Sequence, residues 1–313
     1  MLRIGIDLGG TNIAAGIVNE NGEILFKSSV PTGASRPKEE IIDDIALLCR
    51  NICKDYGVDF ASVESVGIAV PGGVDEKNGI IILTPNIPFS GLPICDILSE
   101  KLDGKKVTLA NDANAATLAE VLAGAAKGAD NAVMITLGTG VGGGIVIDKK
   151  IYSGSNGLAG ELGHFVIQTG GEKCGCGRRG CFEAYASATA LIRMTKDELN
   201  TCFMSGEATL MAESSRVTAR TAFDAFKAGD AAAARVIERY IDALSNGIIS
   251  LINIFQPDVF IIGGGVSGEK QFLVDLLQPK IDAEDFARSS AKRARICTAA
   301  CGNDAGIIGA ALS

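Results

Sequence analysis

The chain has 313 residues, 47% of them apolar and 21% charged, with a formal net charge of -8. This balance suits a globular protein of one large or two ordinary domains, and the acidic excess argues against a nucleic-acid surface. No stretch reaches the ~18 apolar residues of a membrane span, and "MLRIGIDLGG" lacks the charged and apolar regions of a secretory leader. Nine cysteines, an odd number unevenly spaced, point to reduced thiols in the cytoplasm and not to a disulfide framework.

The first thirty residues read as a β-meander: "LRIGIDLG", "IAAGIV" and "EILFKSSV", with Asn21-Gly22 as the hairpin signal before the third run. Residues 37–56 carry apolar positions at helical spacing, and Cys49 and Cys53 sit there beside Ile45 and Ile52 as small core hydrophobes. "VESVGIAV" is a strand ending at Pro71-Gly72-Gly73, and "KVTLA" leads into an alanine-rich helix that starts at Asn111-Asp112. "NAVMITLGTGVGGGIVIDKKIYSG" then repeats the opening pattern of strand, Gly/Thr turn and strand. The two copies lie about 130 residues apart and imply a duplicated domain. From residue 183 the chain is mostly helical, with long helices expected over 215–228 and 230–255. "DVFIIGGG" is a strand, followed by a helix, the short strand "ARICTAA" and a closing helix "DAGIIGAAL".

Gly138-x-Gly140-x-x-Gly143 matches a dinucleotide fingerprint by letters alone. That fingerprint needs a helix directly after the turn, whereas "GGIVID" reads as a strand, so the Rossmann interpretation fails. No GxxxxGK[ST] loop is present. What remains is a Gly/Thr turn present twice (Gly9-Gly10-Thr11 and Gly138-Thr139-Gly140), with Gly263-Gly264-Gly265 after a third strand. One such cluster is ordinary turn chemistry; three suggest backbone N–H groups gathered around phosphates. Asp7, just before the first turn, can hold Mg²⁺ through water or simply bond the turn backbone.

Asn111 and Asp112 stand where strand gives way to helix, the place of a plain N-cap. Glu161 and His164 are three apart, and Glu183 lies two past Cys181. Sugar recognition needs several fixed acceptors, and phosphoryl transfer to a hydroxyl needs a base for its proton. Asp112 is the candidate base; Asn111, Glu161 and Glu183 are candidate hydroxyl partners.

"DLGGT" (Asp7–Thr11), "PGG" (Pro71–Gly73), "NDANAA" (Asn111–Ala116), "TLGTGVGGG" (Thr136–Gly144), "GELGH" (Gly160–His164), "CGCGRRGCFEAYAS" (Cys174–Ser187) and "GGGVS" (Gly263–Ser267) occur in this order. With these motifs the sequence resembles the ROK family (repressors, open reading frames, sugar kinases) and, within it, the bacterial glucokinases, over nearly the whole chain. The resemblance implies an α/β fold of the actin-like ATPase type, two ribonuclease-H-like lobes around a cleft. The expected division is a small lobe of residues 1–110, with a C-terminal helix 303–313 packing back on it, and a large lobe of 111–302. The implied reaction is ATP-dependent phosphorylation of glucose at its 6-hydroxyl, with Mg²⁺. Asp112 is implied as general base, and Gly72, Asn111, Asp112, Glu161, His164 and Glu183 as sugar contacts. Asp7, Gly9–Thr11, Gly138–Gly140 and Gly263–Gly265 are implied around the nucleotide. N-acetylmannosamine, N-acetylglucosamine and fructose are alternative acceptors, polyphosphate is an alternative donor, and a non-catalytic sugar-sensing regulator is the reading from another class. Family repressors carry an extra N-terminal DNA-binding segment; with the first strand at the start of this sequence, that class is not the expected one. A homodimer is expected from family habit.

His164, Cys174, Cys176 and Cys181 follow the pattern His-x9-Cys-x-Cys-x4-Cys, with His164 the single histidine of the chain. Three thiolates and an imidazole suit a closed tetrahedral zinc site; the second ring nitrogen is then free for the sugar hydroxyl that the resemblance implies. Arg178 and Arg179 are placed to offset its negative charge.

Overall fold

The computed structural model describes residues 1–84 and 87–313. They form two compact units, residues 1–132, 144–160 and 300–313 in the first and 133–143 and 161–299 in the second.

In the first unit, β1 (Leu2–Leu8), β2 (Asn12–Asn19) and β3 (Ile24–Pro31) form the expected antiparallel meander. The Asn21-Gly22 pair does sit in the hairpin turn, where Asn19 Oδ1 accepts the N–H groups of Asn21 and Glu23. β4 (Val63–Val70) lies parallel to β1, and β7 (Lys106–Asn111) parallel to β4, giving the order β3-β2-β1-β4-β7. Between β4 and β7 run the two-stranded ribbon β5 (Gly73–Asp75) and β6 (Ile80–Leu83), then α2 (Ile94–Lys101).

The central strands are apolar on both sides because both faces are covered. On one face, Ile4, Ile6 and Leu8 share a core with Ile41, Ile45, Cys49 and Ile52 of α1 (Lys38–Tyr56). On the other, Gly5 and Gly67 lie under α9 (Ala305–Leu312), so close that a side chain on either would overlap the carbonyls of Ile307 and Ala310. α3 (Asp112–Leu122) packs on α9 in the same way, Gly309 against the Ala115 carbonyl. This small-residue contact joins α3 to the first unit, which takes in more of the chain than residues 1–110 and 303–313.

The second five-stranded sheet repeats the order of the first: β10 (Lys150–Ile151), β9 (Val141–Ile147), β8 (Ala132–Leu137), β11 (Val259–Gly263) and β12 (Arg295–Thr298). β9 carries the chain from the second unit into the first. Asp148 and Lys149, both at positive φ, make the two-residue turn into β10. The helices are α4 (Glu183–Ala186), α5 (Ala188–Ser205), α6 (Ala219–Lys227), α7 (Ala231–Phe255) and α8 (Gln271–Glu284). α6 and α7 fall inside the expected helical stretches, 215–228 and 230–255. Among the described residues no helix is long and apolar enough to cross a membrane, and none of the nine cysteines is in a disulfide.

Candidate active site

The candidate residues fall into two groups, one on each unit. In the first, β7 ends at Asn111 and α3 starts at Asp112. Asn111 Oδ1 accepts the N–H groups of Ala113 and Asn114 at 2.9 and 3.1 Å, and Nδ2 donates to the Gly72 carbonyl at 2.9 Å. Capping therefore falls to Asn111. Asp112 is exposed, with Oδ1 accepting the Ala113 N–H at 2.8 Å. The Asn111 amide retains one N–H beyond its bond to Gly72.

Asp7, near the end of β1, faces this junction. Burial, then the negative charge of Asp112, pushes its carboxyl up from 3.8 to about 6. Gly306 lies against it: a Cβ there would stand 2.7 Å from the Asp7 carboxylate. Two carboxylates coupled in a partly desolvated place favour a cation between phosphate and protein. One residue that the sequence does not single out, Glu76, adjoins the group. The Glu76 carboxylate takes the Asn111 backbone N–H and the Asn114 side chain, and burial raises its pKa. Nothing in "VDEKNG" distinguishes Glu76 from a solvated turn residue.

The glycine turns are built by fixed backbone bonds. Gly9 N–H donates to the Asn12 carbonyl at 2.9 Å, while Thr32 clamps the turn through Oγ1 to Gly9 O at 2.6 Å and N–H to Thr11 O at 2.8 Å. Gly10 and Thr11 are exposed. In the second unit, Gly138 N–H donates to Gly140 O at 3.0 Å, and the start of α5 holds the turn through Ala188 N–H to Gly138 O and Thr189 Oγ1 to Thr139 O. A strand, β9, follows this turn, as the rejection of the Rossmann reading required. Gly263–Gly265 end β11. Gly264 has φ 80° with the Leu137 backbone 2.5 Å from where a Cβ would sit, so only glycine fits.

Also in the second unit, His164, Cys174, Cys176 and Cys181 place their ligand atoms all within 4.8 Å of one another. Cys176 and Cys181 sulfurs are 3.7 Å apart, and Cys174 Sγ lies 3.5 Å from His164 Nδ1. An edge of a tetrahedron with metal–sulfur bonds of ~2.3 Å is ~3.8 Å, whereas a disulfide needs ~2.05 Å. These two separations match such edges, and with all four donors within 4.8 Å of one another the set fits a tetrahedral zinc after small side-chain shifts. Arg178 and Arg179 donate to the carbonyls of His164 and Gly171, bracing the loop's backbone. His164 Nε2 points to Glu161, 4.0 Å from its Oε2, too far for a hydrogen bond. Glu183 is already engaged: Oε2 accepts the Val141 N–H at 3.0 Å, and Oε1 takes the Cys174 thiol at 3.3 Å. Its carboxylate fills the space beside Gly140.

The ROK family model matches residues 3–312. A glucokinase of Thermotoga maritima is 38% identical over 309 residues, 98% of this chain and 95% of that protein. An N-acetylmannosamine kinase of Haemophilus influenzae is 33% identical over 316 residues, 99% of this chain and 94% of that protein. The crystal structure of a ROK glucokinase from Streptomyces griseus, in complex with glucose and AMPPNP, superposes with a TM-score of 0.80 at 36% identity, covering 99% of this chain and 98% of that one. The chain belongs to the ROK family, and it is a sugar kinase with the two-lobed, actin-like ATPase fold.

Proposed function

We propose that this sugar kinase transfers the terminal phosphoryl group of ATP to the 6-hydroxyl of glucose, with Asp112 as general base. The observation that carries the reading is the division of labour at the β7–α3 junction: Asn111 caps the helix, and Asp112 stands exposed beside Asp7. Asp112 would take the hydroxyl proton as the sugar oxygen forms its bond to the γ-phosphorus and the bond to the β-phosphate oxygen breaks, releasing ADP. Asp7 would hold Mg²⁺ through water; that ion supplies charge neutralisation on the phosphates. Gly9–Thr11, Gly138–Gly140 and Gly263–Gly265 would meet the nucleotide through backbone N–H groups.

Glu161, the free N–H of Asn111 and His164 Nε2 would hold sugar hydroxyls, with the Gly72 backbone nearby. The four Cys/His donors would hold zinc with every coordination position filled by protein, so zinc would shape the loop and activate no substrate. Glucose is favoured by the glucokinase relatives; the 33% identity to N-acetylmannosamine kinases keeps a 2-acetamido hexose as the second reading. Epimers and 2-substituted hexoses differ by few contacts, so the test is a panel of hexoses with ATP, reading kcat/KM for each. Glucose should lead the panel, and Asp112→Asn should lower kcat at least about a thousandfold with glucose binding retained. An active Asp112→Asn protein removes Asp112 as the base; a higher kcat/KM for another hexose displaces glucose.

A further inference from the structure

The motif "NDANAA" puts a second asparagine, Asn114, two residues beyond Asp112. Asn114 is 3% exposed on the first turn of α3. Its side chain is hydrogen-bonded to Glu76, and its Oδ1 has no partner among the described residues. A carboxylate only accepts, so the amide must turn its NH₂ toward Glu76. Leaving a buried oxygen unmet is costly. The orientation persists because the reverse one would set Oδ1 against the Glu76 carboxylate.

Glu76 opens the turn between β5 and β6. The preceding residue, Asp75, fixes that turn by accepting Asn78 N–H at 3.1 Å and Nδ2 at 2.7 Å. Glu76 also receives the backbone N–H of Asn111. One carboxylate thus grips the last residue of β7 and the first turn of α3, on either side of Asp112. The same Asn111 ties the junction to Gly72 through its side chain.

We infer that Glu76 is a positioning residue for phosphoryl transfer: by holding Asn111 and Asn114, it fixes the orientation in which Asp112 meets the acceptor hydroxyl. This rests on Asp112 being the base. Small losses of alignment at a base cost large factors in turnover. The partners of Glu76 lie at the β7–α3 junction that carries Asp112, so its influence should fall on the sugar side and on kcat, not on the nucleotide.

The test uses the full chain with glucose and ATP, thermal unfolding run in parallel, and the variants Glu76→Leu, Glu76→Gln and Glu76→Asp. Glu76→Leu should lower kcat at least about thirtyfold with the ATP KM within about threefold of wild type. Glu76→Gln keeps one acceptor for Asn111 and offers a donor to Asn114 Oδ1 once that amide turns; it should recover to within about fivefold of wild type. Where Glu76→Leu does not fold, Glu76→Asp carries the test, since it withdraws the carboxylate by one methylene and should lower kcat at least about fivefold. A kcat within threefold of wild type in Glu76→Leu, or in Glu76→Asp where the leucine variant does not fold, overturns the inference, as does a loss that glutamine does not recover. A wild-type protein that releases no ADP with any sugar overturns the kinase reading and this inference together.

Discussion

Replacing Asp7 with asparagine should stabilise the ligand-free protein at neutral pH and abolish phosphoryl transfer. Burial and the neighbouring Asp112 raise the Asp7 carboxyl from 3.8 to about 6 in the folded chain. That rise corresponds to at most about 3 kcal/mol. Its sign follows from linkage. Between roughly pH 4 and 6 the native carboxyl keeps its proton while the unfolded one has lost it, so the native state binds more protons and stability falls as pH rises. The contribution is intact below the unfolded value and gone once pH has passed the folded one. Asparagine has the same shape and no proton to lose, so the variant escapes the penalty. Urea unfolding at matched ionic strength, without added magnesium, should show wild type and variant nearly equal at pH 4. At pH 7.5 the variant should be about 2–3 kcal/mol more stable. Magnesium added on top of saturating nucleotide should then raise the wild-type midpoint further and leave the variant's where nucleotide alone had set it. A variant no more stable than wild type at pH 7.5, or a gap of equal size at both pH values, refutes the reasoning that Asp7 is a strained charge awaiting a cation.

Glu120 is fully buried and accepts backbone N–H groups from Ala125 at 2.7 Å, Ala300 at 2.9 Å and Cys301 at 2.7 Å. Glu120→Ala should lose about 3 kcal/mol by urea unfolding, since it strips the shared acceptor from three donors; a loss below about 1 kcal/mol contradicts this. Removal of metal by a thiol-compatible chelator should release about one equivalent of zinc and raise the sugar KM while the ATP KM holds. Equal loss of both affinities counts against a loop that serves the sugar alone.

Much of the fold is legible in the sequence because it is carried by local rules. Apolar runs that begin or end at glycine turns give β1, β2, β4, β8 and β9, and the doubled Gly/Thr turn anticipates two sheets with one strand order. Other parts are set by distant partners. β5 and β6 are three and four residues long, too short for a periodic signal. At Asn111-Asp112, either residue satisfies the rules for a cap, and the choice of Asn111 depends on the Gly72 carbonyl that its amide also reaches. Glu76 sits in a run of polar turn residues; only the approach of β7 and α3, more than thirty positions later, gives it partners. Glu120 reads as one polar residue in an alanine-rich helix, and its acceptor role appears once residues 300 and 301 come back to α3.

The same dependence on distant partners bears on Glu183, whose sugar-binding role comes from resemblance alone. Its two oxygens are spoken for by the Val141 N–H, directly after the Gly140 turn, and by the Cys174 thiol. The second bond exists only while Cys174 carries its proton. A cysteine that ligates a metal does so as thiolate and has no hydrogen to donate. With zinc on the four donors, Glu183 would keep the Val141 N–H and lose the Cys174 bond, and Oε1 would be an acceptor in want of a donor. A sugar hydroxyl is such a donor. A sugar-binding Glu183 would thus depend on a loaded cluster, in which Cys174 would no longer occupy Oε1. The other oxygen of Glu183 holds the N–H of Val141, directly after the turn at Gly138–Gly140, so the same carboxylate would link that turn to the sugar.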